Sequence, residues 1–185
     1  MEEVKGYKAF NKDATNRYGK PFIEGETYYT EGELQFGNNG NGWHMCTALS
    51  DVFRYVNATE EDVLVAEVTG RGNYVLRDDH YYGYYDMYCF EEMTIDRFLS
   101  REEVIQRMLD SPPHEVKKFF STCKLSEEEK ILFARKFRSD IDVIKSLLYY
   151  HFGCTEIYRD YSLVEERIRK VLTYGQDSNK GSKGK

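Results

Sequence analysis

The sequence changes pattern at Ser100, and this change constrains the fold more than any other feature of the chain. Before it, apolar residues alternate as they do in half-buried strands, most clearly at Val4–Phe10, Val63–Val68 and Met87–Leu99. After it, the apolar spacing becomes helical and helix-start signals recur. Strands and helices in separate blocks are typical of α+β proteins, so we predict a mixed or antiparallel β-sheet with a helical subdomain packed against it.

Five helix starts are predicted after this point. The spacing of a capping box, a Ser followed three residues later by Glu, occurs at Ser100, Ser126 and Ser162. The stretch Ser139–Asp142 is a weaker version, and Ser111 precedes a proline of the kind found in first helical turns. Each start is followed by enough apolar residues for one buried stripe, which indicates a small bundle of short helices.

These patterns predict three segments. The first is a β-rich domain over residues 1–100, the second a helical subdomain over residues 101–174, and the third a disordered tail over residues 175–185, which has no apolar residue to bury. Within the β-rich domain, we predict a hairpin over residues 28–36 and a helix over residues 50–57 that is capped by its first residue, a serine.

Charge is distributed unevenly along the chain. The net charge is −6, but residues 1–100 carry 9 Lys and Arg against 18 Asp and Glu, whereas residues 101–185 carry 17 against 14. Phosphate binding needs a basic face, so the acidic front half argues against a nucleic-acid partner and favours a protein with a basic surface. The 16 tyrosines fit either a protein interface or ordinary half-buried strands.

Location and redox state are indicated by what the sequence contains. No apolar run approaches the about 18 residues that cross a bilayer, and the first residues do not resemble a secretory signal, so we expect a cytoplasmic protein without membrane association. The four cysteines are scattered without a C-x-x-C pair: Cys46, Cys89, Cys123 and Cys154. In a reducing compartment this predicts free, buried thiols and argues against zinc or disulfides.

The segment Gly42–Tyr55 is the first candidate site. It places the only tryptophan, a histidine and a cysteine in a short strand that leads directly into a helix. Loops beside such elements often carry ligand sites, so we expect His44 and Tyr55 to line a pocket. The alternative is that Trp43 and Met45 face the core while His44 faces solvent.

Two further pairs of charged residues are candidates. Glu91 and Glu92 form an acidic pair at the start of a strand, where one carboxylate would stabilise a cationic transition state or act as a base. The alternative is a solvated pair at a strand edge. Lys8 and Lys12, on the first strand and the turn after it, would either hold a phosphate or be surface charges.

The segment 77–86 combines three acids and four tyrosines around a glycine. Aromatic rings in an acidic loop suit a contact surface better than a core. We therefore predict a partner-binding loop whose contacts come from Asp78, Asp79, Tyr82, Tyr84 and Asp86. The aspartates together with His80 are an alternative divalent-cation set, but their spacing matches no known metal loop, so we expect no metal.

Four segments carry a resemblance to a known family. Gly6–Asp13, Gly25–Tyr28, Gly42–Cys46 and Asp51–Tyr55 together resemble an uncharacterised family that is common in bacteriophages and prophages. The similarity covers about residues 4–70. It implies a phage-type protein that acts in the cytoplasm of a host cell, and it implies no particular activity.

The order of elements is also distantly similar to that of ADP-ribosyltransferases, which implies that fold and NAD as the cofactor. On this resemblance His44 would contact the nicotinamide and Tyr55 would support the pocket. Glu91 or Glu92 would be the catalytic glutamate. Lys8 would stand at the first-strand position, where those enzymes carry His or Arg.

Two functions follow from these observations. One is an ADP-ribosyltransferase-like activity that uses NAD and modifies a host or defence component. The other is a non-enzymatic, acidic and tyrosine-rich inhibitor that binds a host or defence protein and needs no cofactor. The first-strand position separates them in part, because Tyr7 and Lys8 occupy it where the enzymes have His or Arg.

Overall fold

The computed structural model describes residues 3–16, 18–36, 40–56, 63–77, 87–155 and 162–177. It divides into two compact units, residues 1–104 and residues 105–185. Within the described residues, the protein contains an antiparallel five-stranded sheet and six helices. The predicted α+β class is confirmed, and of the two sheet forms that the sequence left open, mixed or antiparallel, the structure has the antiparallel one.

The first unit holds all the described strands. They are β1 (Val4–Asn11), β2 (Thr27–Tyr29), β3 (Trp43–Cys46), β4 (Val63–Arg77) and β5 (Met87–Leu99). β5 pairs with β2, β3 and β4, while β1 pairs with both β3 and β4. The pairings β1–β4–β5–β3–β1 form a closed circuit, so these four strands make a small barrel-like ring with β2 continuing along the β3 side of β5.

β4 is longer than the predicted strand Val63–Val68 because it continues through a bulge. The register with β5 shifts between Arg71 and Tyr74, which leaves an extra residue on β4. Gly72 sits there with φ +80°, a backbone conformation that glycine adopts without strain. The bulge bends and twists β4, so the strand can follow β5 over nearly its whole length.

The interior of this ring is the core of the first unit. It is formed by buried apolar side chains from β1, β3, β4 and β5 and from the segment before β2: Phe10, Phe22, Met45, Ala66, Val68, Phe90, Met93 and Ile95. Phe10 and Phe22 pack with ring centroids 4.9 Å apart. The acidic first half of the chain therefore encloses a core of apolar side chains.

The predicted hairpin over residues 28–36 is wrong. β2 covers only Thr27–Tyr29, and it pairs with β5, with Tyr28 opposite Met93. The residues after it form a loop that the Asn41 side chain holds by donating to the carbonyl oxygens of Glu31 (2.7 Å) and Glu33 (3.1 Å). A side-chain amide thus satisfies backbone groups that a hairpin would have paired.

The predicted helix over residues 50–57 is a shorter element of a different type. Leu49–Tyr55 forms a 3₁₀ helix that follows Ala48, and no side chain caps it. Ser50, which we predicted to be the cap, lies inside the helix and is fully buried. The residue at the cap position is Ala48, two residues before the predicted cap Ser50.

Five α-helices follow the sheet, each near a predicted start. They are α1 (Arg101–Asp110), α2 (Pro113–Thr122), α3 (Glu127–Lys136), α4 (Ile141–Phe152) and α5 (Ser162–Asp177). Ser126 and Glu129 form a complete capping box on α3, and Asp140 Oδ1 caps α4 by accepting from Val143 N at 3.1 Å. α5 includes the first three residues of the predicted tail, and residues 178–185 lie outside the described residues.

The helices of the second unit enclose their own buried residues. Large side chains from α2, α3 and α4 are at most 2 % exposed: Phe119, Phe120, Phe133, Ile144, Leu147 and Leu148. The four cysteines of the chain are buried free thiols, as predicted. Among the described residues, no helix combines the length and the apolar character needed to cross a membrane.

Candidate functional site

β3 places the centre of the first candidate segment between two other strands. His44 pairs with Cys89 on β5, and Cys46 pairs with Tyr7 on β1. Gly42, which precedes the strand, has φ +113°, and a Cβ atom there would lie 2.4 Å from Cys89 Sγ. A larger residue would push the loop away from β5, so the glycine allows the chain to enter β3 at this point.

Lys8 and His44, which we predicted to bind a cofactor, lie in contact. Lys8 Nζ donates to the backbone carbonyl oxygen of His44 at 2.6 Å. The His44 ring stacks on Phe36, with 5.2 Å between the ring centroids and 23° between the planes. The lysine therefore ties β1 to β3 next to their Tyr7–Cys46 pair, and one of its three donors is used for this.

Tyr55 belongs to the same region, near Cys46 and Asp51. Burial, with smaller contributions from Cys46 and Asp51, raises the pKa of the Tyr55 hydroxyl to about 12. Burial and then Asp51 raise the pKa of the Cys46 thiol to about 12, while Lys8 acts in the opposite direction. Both groups stay protonated at neutral pH, so Cys46 is not a thiolate nucleophile, and the Tyr55 hydroxyl can donate and accept hydrogen bonds but carries no charge.

Sequence reasoning missed two buried polar residues beside this cluster. Ser50 is 0 % exposed and Asp51 is 3 % exposed, and both lie on the 3₁₀ helix between the buried apolar residues Leu49 and Val52. Within the described part of the chain, Ser50 Oγ and Trp43 Nε1 are buried without a hydrogen-bond partner. The sequence did contain a signal, a Ser–Asp pair inside an apolar stripe. We had interpreted the serine of this pair as a helix cap.

Glu91 and Glu92 lie in the interior of β5, not at the start of a strand as we predicted. Glu91 accepts two hydrogen bonds from Asn73, one from the backbone N at 3.0 Å and one from Nδ2 at 2.8 Å, and these bonds lower the pKa of its carboxyl. Glu92 accepts from Arg71 Nη1 at 3.4 Å. Both carboxylates therefore hold the two sides of the β4 bulge to β5.

An aromatic surface that the sequence did not indicate lies where β2 and β3 adjoin. The rings of Phe22, Tyr28 and Trp43 contact one another with centroid separations between 4.8 and 5.8 Å. Lys20 Nζ lies 4.5 Å from the Trp43 ring centroid and 5.3 Å from that of Tyr28. These residues come from three separate segments, so their spacing in the sequence contained no recognisable pattern.

The predicted partner-binding loop cannot be placed in this way. Its five residues, Asp78, Asp79, Tyr82, Tyr84 and Asp86, lie outside the described residues, as does His80. Its two anchors are described: Arg77 ends β4 and Met87 begins β5, and these two residues pair directly across the ladder. In the described part of the chain, no group of His, Cys, Asp and Glu residues has the arrangement of a metal site.

The sheet unit matches a known protein-family model. A family model described as a domain of unknown function, DUF7666, matches residues 4–107. The chain belongs to this family. The matched residues cover the sheet unit, including every candidate residue named above, and they end within α1. No curated protein and no solved structure matches the chain.

The DUF7666 match covers residues 4–107 and leaves the rest of the chain outside the family domain. The ring of strands and the Lys8–His44 contact belong to the family domain, whereas α2, α3, α4 and α5 lie beyond the matched residues. A function common to DUF7666 domains must therefore be carried by the sheet unit. The sheet unit has three candidate sites. They are the cluster of Lys8, His44 and Tyr55, the aromatic surface, and the end of the β4–β5 ladder near the Arg77–Met87 pair.

Proposed function

We propose that the protein acts by binding a basic protein partner through the end of the β4–β5 ladder. The observation that carries this proposal is the exposure of Tyr74 (45 %) and Leu76 (44 %), which occupy alternate positions of β4. They pair with Phe90 and Tyr88 on β5. Two large apolar side chains displayed on one face of a well-formed ladder are typical of a contact surface.

The charge of the adjoining sequence favours a basic partner. Residues 78–86, which follow β4 in the sequence, include Asp78, Asp79 and Asp86, and the first hundred residues carry twice as many acidic as basic side chains. Such a surface accelerates association with an oppositely charged protein, while aromatic residues slow its dissociation. We extend the proposal to a host or defence protein as the partner, because of the resemblance to phage proteins.

Affinity capture from a bacterial host lysate, quantified by mass spectrometry, tests this proposal. We expect Y74S/L76S and Y82A/Y84A to lose proteins that the wild type recovers, and D78N/D79N/D86N to recover them more slowly and with a weaker dependence on salt. The matched control is L132S/I141S, which removes two apolar side chains of equal exposure, 45 % each, from the helical unit. Equal recovery by all variants would refute the proposal.

NAD-dependent ADP-ribosyl transfer on an ADP-ribosyltransferase-like fold is our second candidate function. It is supported by the proximity of Lys8 to His44, whose backbone carbonyl oxygen accepts from the lysine, and by the lowered pKa of Glu91, since the proposed role of the glutamate requires an ionised carboxylate. Its weakness is that Glu91 and Glu92 already bond to Asn73 and Arg71. An active site would have to break these bonds or use them to orient the carboxylates.

A thermal shift assay with NAD distinguishes the two candidates. Binding at one hundred times the dissociation constant stabilises the native state by about 2.7 kcal/mol. If NAD binds, H44A and Y55A should each weaken it by roughly 1–3 kcal/mol, and E92Q should abolish transfer while leaving binding intact. E128Q, at an exposed position on α3, is the control. If NAD gives no stabilisation, the enzymatic candidate is wrong.

A further inference from the structure

The aromatic surface, where Tyr28 and Trp43 pack on the buried Phe22, already holds a cation. Lys20 Nζ lies 4.5 Å from the centroid of the Trp43 ring, 5.3 Å from that of Tyr28 and 6.0 Å from that of Phe22. All three distances are within the range in which an ammonium group is attracted by the negative face of an aromatic ring. The chemistry that this surface accepts is therefore visible in the structure itself.

The rings are held in place by contacts that do not involve Lys20. Tyr28 lies on β2 opposite Met93, and Trp43 lies on β3 opposite Phe90, so the long strand β5 positions both residues. The Tyr28 hydroxyl accepts from Ile23 N at 2.8 Å and donates to Glu26 at 3.1 Å. A surface that is fixed by its own sheet costs little ordering free energy when a ligand binds.

Lys20 itself is held through its backbone. Asn16 Oδ1 accepts from Lys20 N at 3.0 Å, and Asn16 N donates to Lys20 O at 3.0 Å. The lysine is an exposed residue, so its flexible side chain reaches the rings from the solvent side. Another cation can replace the ammonium of Lys20 without a change in the backbone, because the side chain can move into solvent.

We propose that Tyr28 and Trp43, whose rings pack against the buried Phe22, form a binding site for the ammonium group of a partner's lysine, and that Lys20 occupies this site until the partner replaces it. The acidic residues Glu24 and Glu26, on the same segment, add a favourable potential for a cation. The identity of the partner rests on the function proposed above. The cation site itself does not, because a small cation is sufficient to detect it.

The fluorescence of Trp43, the only tryptophan, reports directly on this site in the full-length protein. We would titrate K20A and the wild type with tetramethylammonium chloride, using sodium chloride at equal ionic strength and the neutral isostere tert-butanol as controls. K20A should show a saturable change with tetramethylammonium. Its apparent dissociation constant should be about two- to fivefold lower than that of the wild type, which is the effect of one exposed cation–π competitor.

The second set of variants separates attraction to the ring face from simple apolar contact. K20A/Y28L keeps an apolar side chain but loses one aromatic face, so tetramethylammonium should bind it less tightly, whereas K20A/Y28F should bind nearly as tightly as K20A. K20Q serves in place of K20A if the latter unfolds at a lower temperature than the wild type. The proposal is overturned if tert-butanol gives the same fluorescence change as tetramethylammonium, or if tetramethylammonium gives no saturable change. It is also overturned if K20A/Y28L binds tetramethylammonium as tightly as K20A does.

A lysine derivative completes the test. N-acetyl-lysine amide should compete with tetramethylammonium on K20A, and its Nε-acetylated form, which has no charge, should not; equal competition would overturn the proposal. Y74S/L76S should leave both titrations unchanged, since these residues belong to the other proposed surface. Failure of the cation site therefore differs from failure of the protein-binding function, which the lysate experiment measures.

Discussion

The two units of this protein are built from contacts of different range along the chain. In the sheet unit, Val4 pairs with Gly70 and Thr27 with Thr94, so its order depends on residues far apart in the sequence. In the helical unit, the contacts that begin α3 join Ser126 to Glu129, three positions away. Local signals therefore located the helices well, whereas the ring of strands depends on pairings across the whole first unit.

The units also differ in what they bury. The sheet unit buries Ser50 and Asp51 next to Cys46, in the region of the candidate site. The helical unit buries Lys145 and, in part, His151, which packs edge-to-face on Phe120. Buried polar groups are costly to stability, and they are tolerated where a partner or a function compensates for the cost.

We expect the largest loss of folding stability when one central aromatic side chain is removed from each unit. Phe90 and Phe133 are both 0 % exposed, so F90A and F133A should each cost about 3–5 kcal/mol. Fluorescence of Trp43 follows the sheet unit, and far-UV circular dichroism mainly follows the helices. We expect F90A to lower the midpoint of the first signal and F133A that of the second. If either variant moves both midpoints equally, the two units unfold as one.

The next effect is a pH dependence of the helical unit. Burial, and then the positive charge of Lys130, lowers the pKa of His151 to about 4, against about 6.5 in an unfolded chain. The unfolded state therefore takes up a proton first as the pH falls. The stability that neutral His151 contributes is present above about pH 6.5 and is lost between about pH 6.5 and 4.

We expect this loss to amount to about 1–2 kcal/mol, because the ring is only partly buried. Urea unfolding followed by circular dichroism at several pH values measures it. H151Q should reduce the loss, and H114Q, at an exposed position on α2, is the matched control and should not. The same pH dependence in wild type and H151Q would show that other groups cause it.

The smallest effect concerns a local signal. S126A removes the oxygen that accepts from Glu129 N at 3.2 Å, and loss of such a cap costs about 1 kcal/mol. S139A, an exposed serine next to the cap of α4, should change little. Urea unfolding of both variants, followed by circular dichroism, tests whether the predicted start of α3 matters energetically. If S139A lowered the free energy of unfolding as much as S126A does, the Ser126 cap would not be the cause of the loss.

Much of the candidate site depended on information that the sequence does not carry locally. The segment Gly42–Tyr55 was identified correctly as a strand leading into a helix, and His44, Lys8 and Tyr55 were selected from it and from β1. The contact between Lys8 and His44 depends on the β1–β3 pairing, which no short pattern predicts. The roles of NAD, of the glutamates and of the loop 78–86 stay predictions.

The α+β class, the approximate starts of the five α-helices and the buried free thiols could all be predicted from the sequence. These features follow from capping residues, apolar periodicity and cysteine spacing, which act over a few residues. Three features could be seen only in the folded protein: the closed circuit of strands, the attachment of Glu91 and Glu92 to the β4 bulge, and the position of Lys20 over Tyr28 and Trp43. Strand pairing joins residues far apart in the chain, and the resulting register and bulge set which side chains meet.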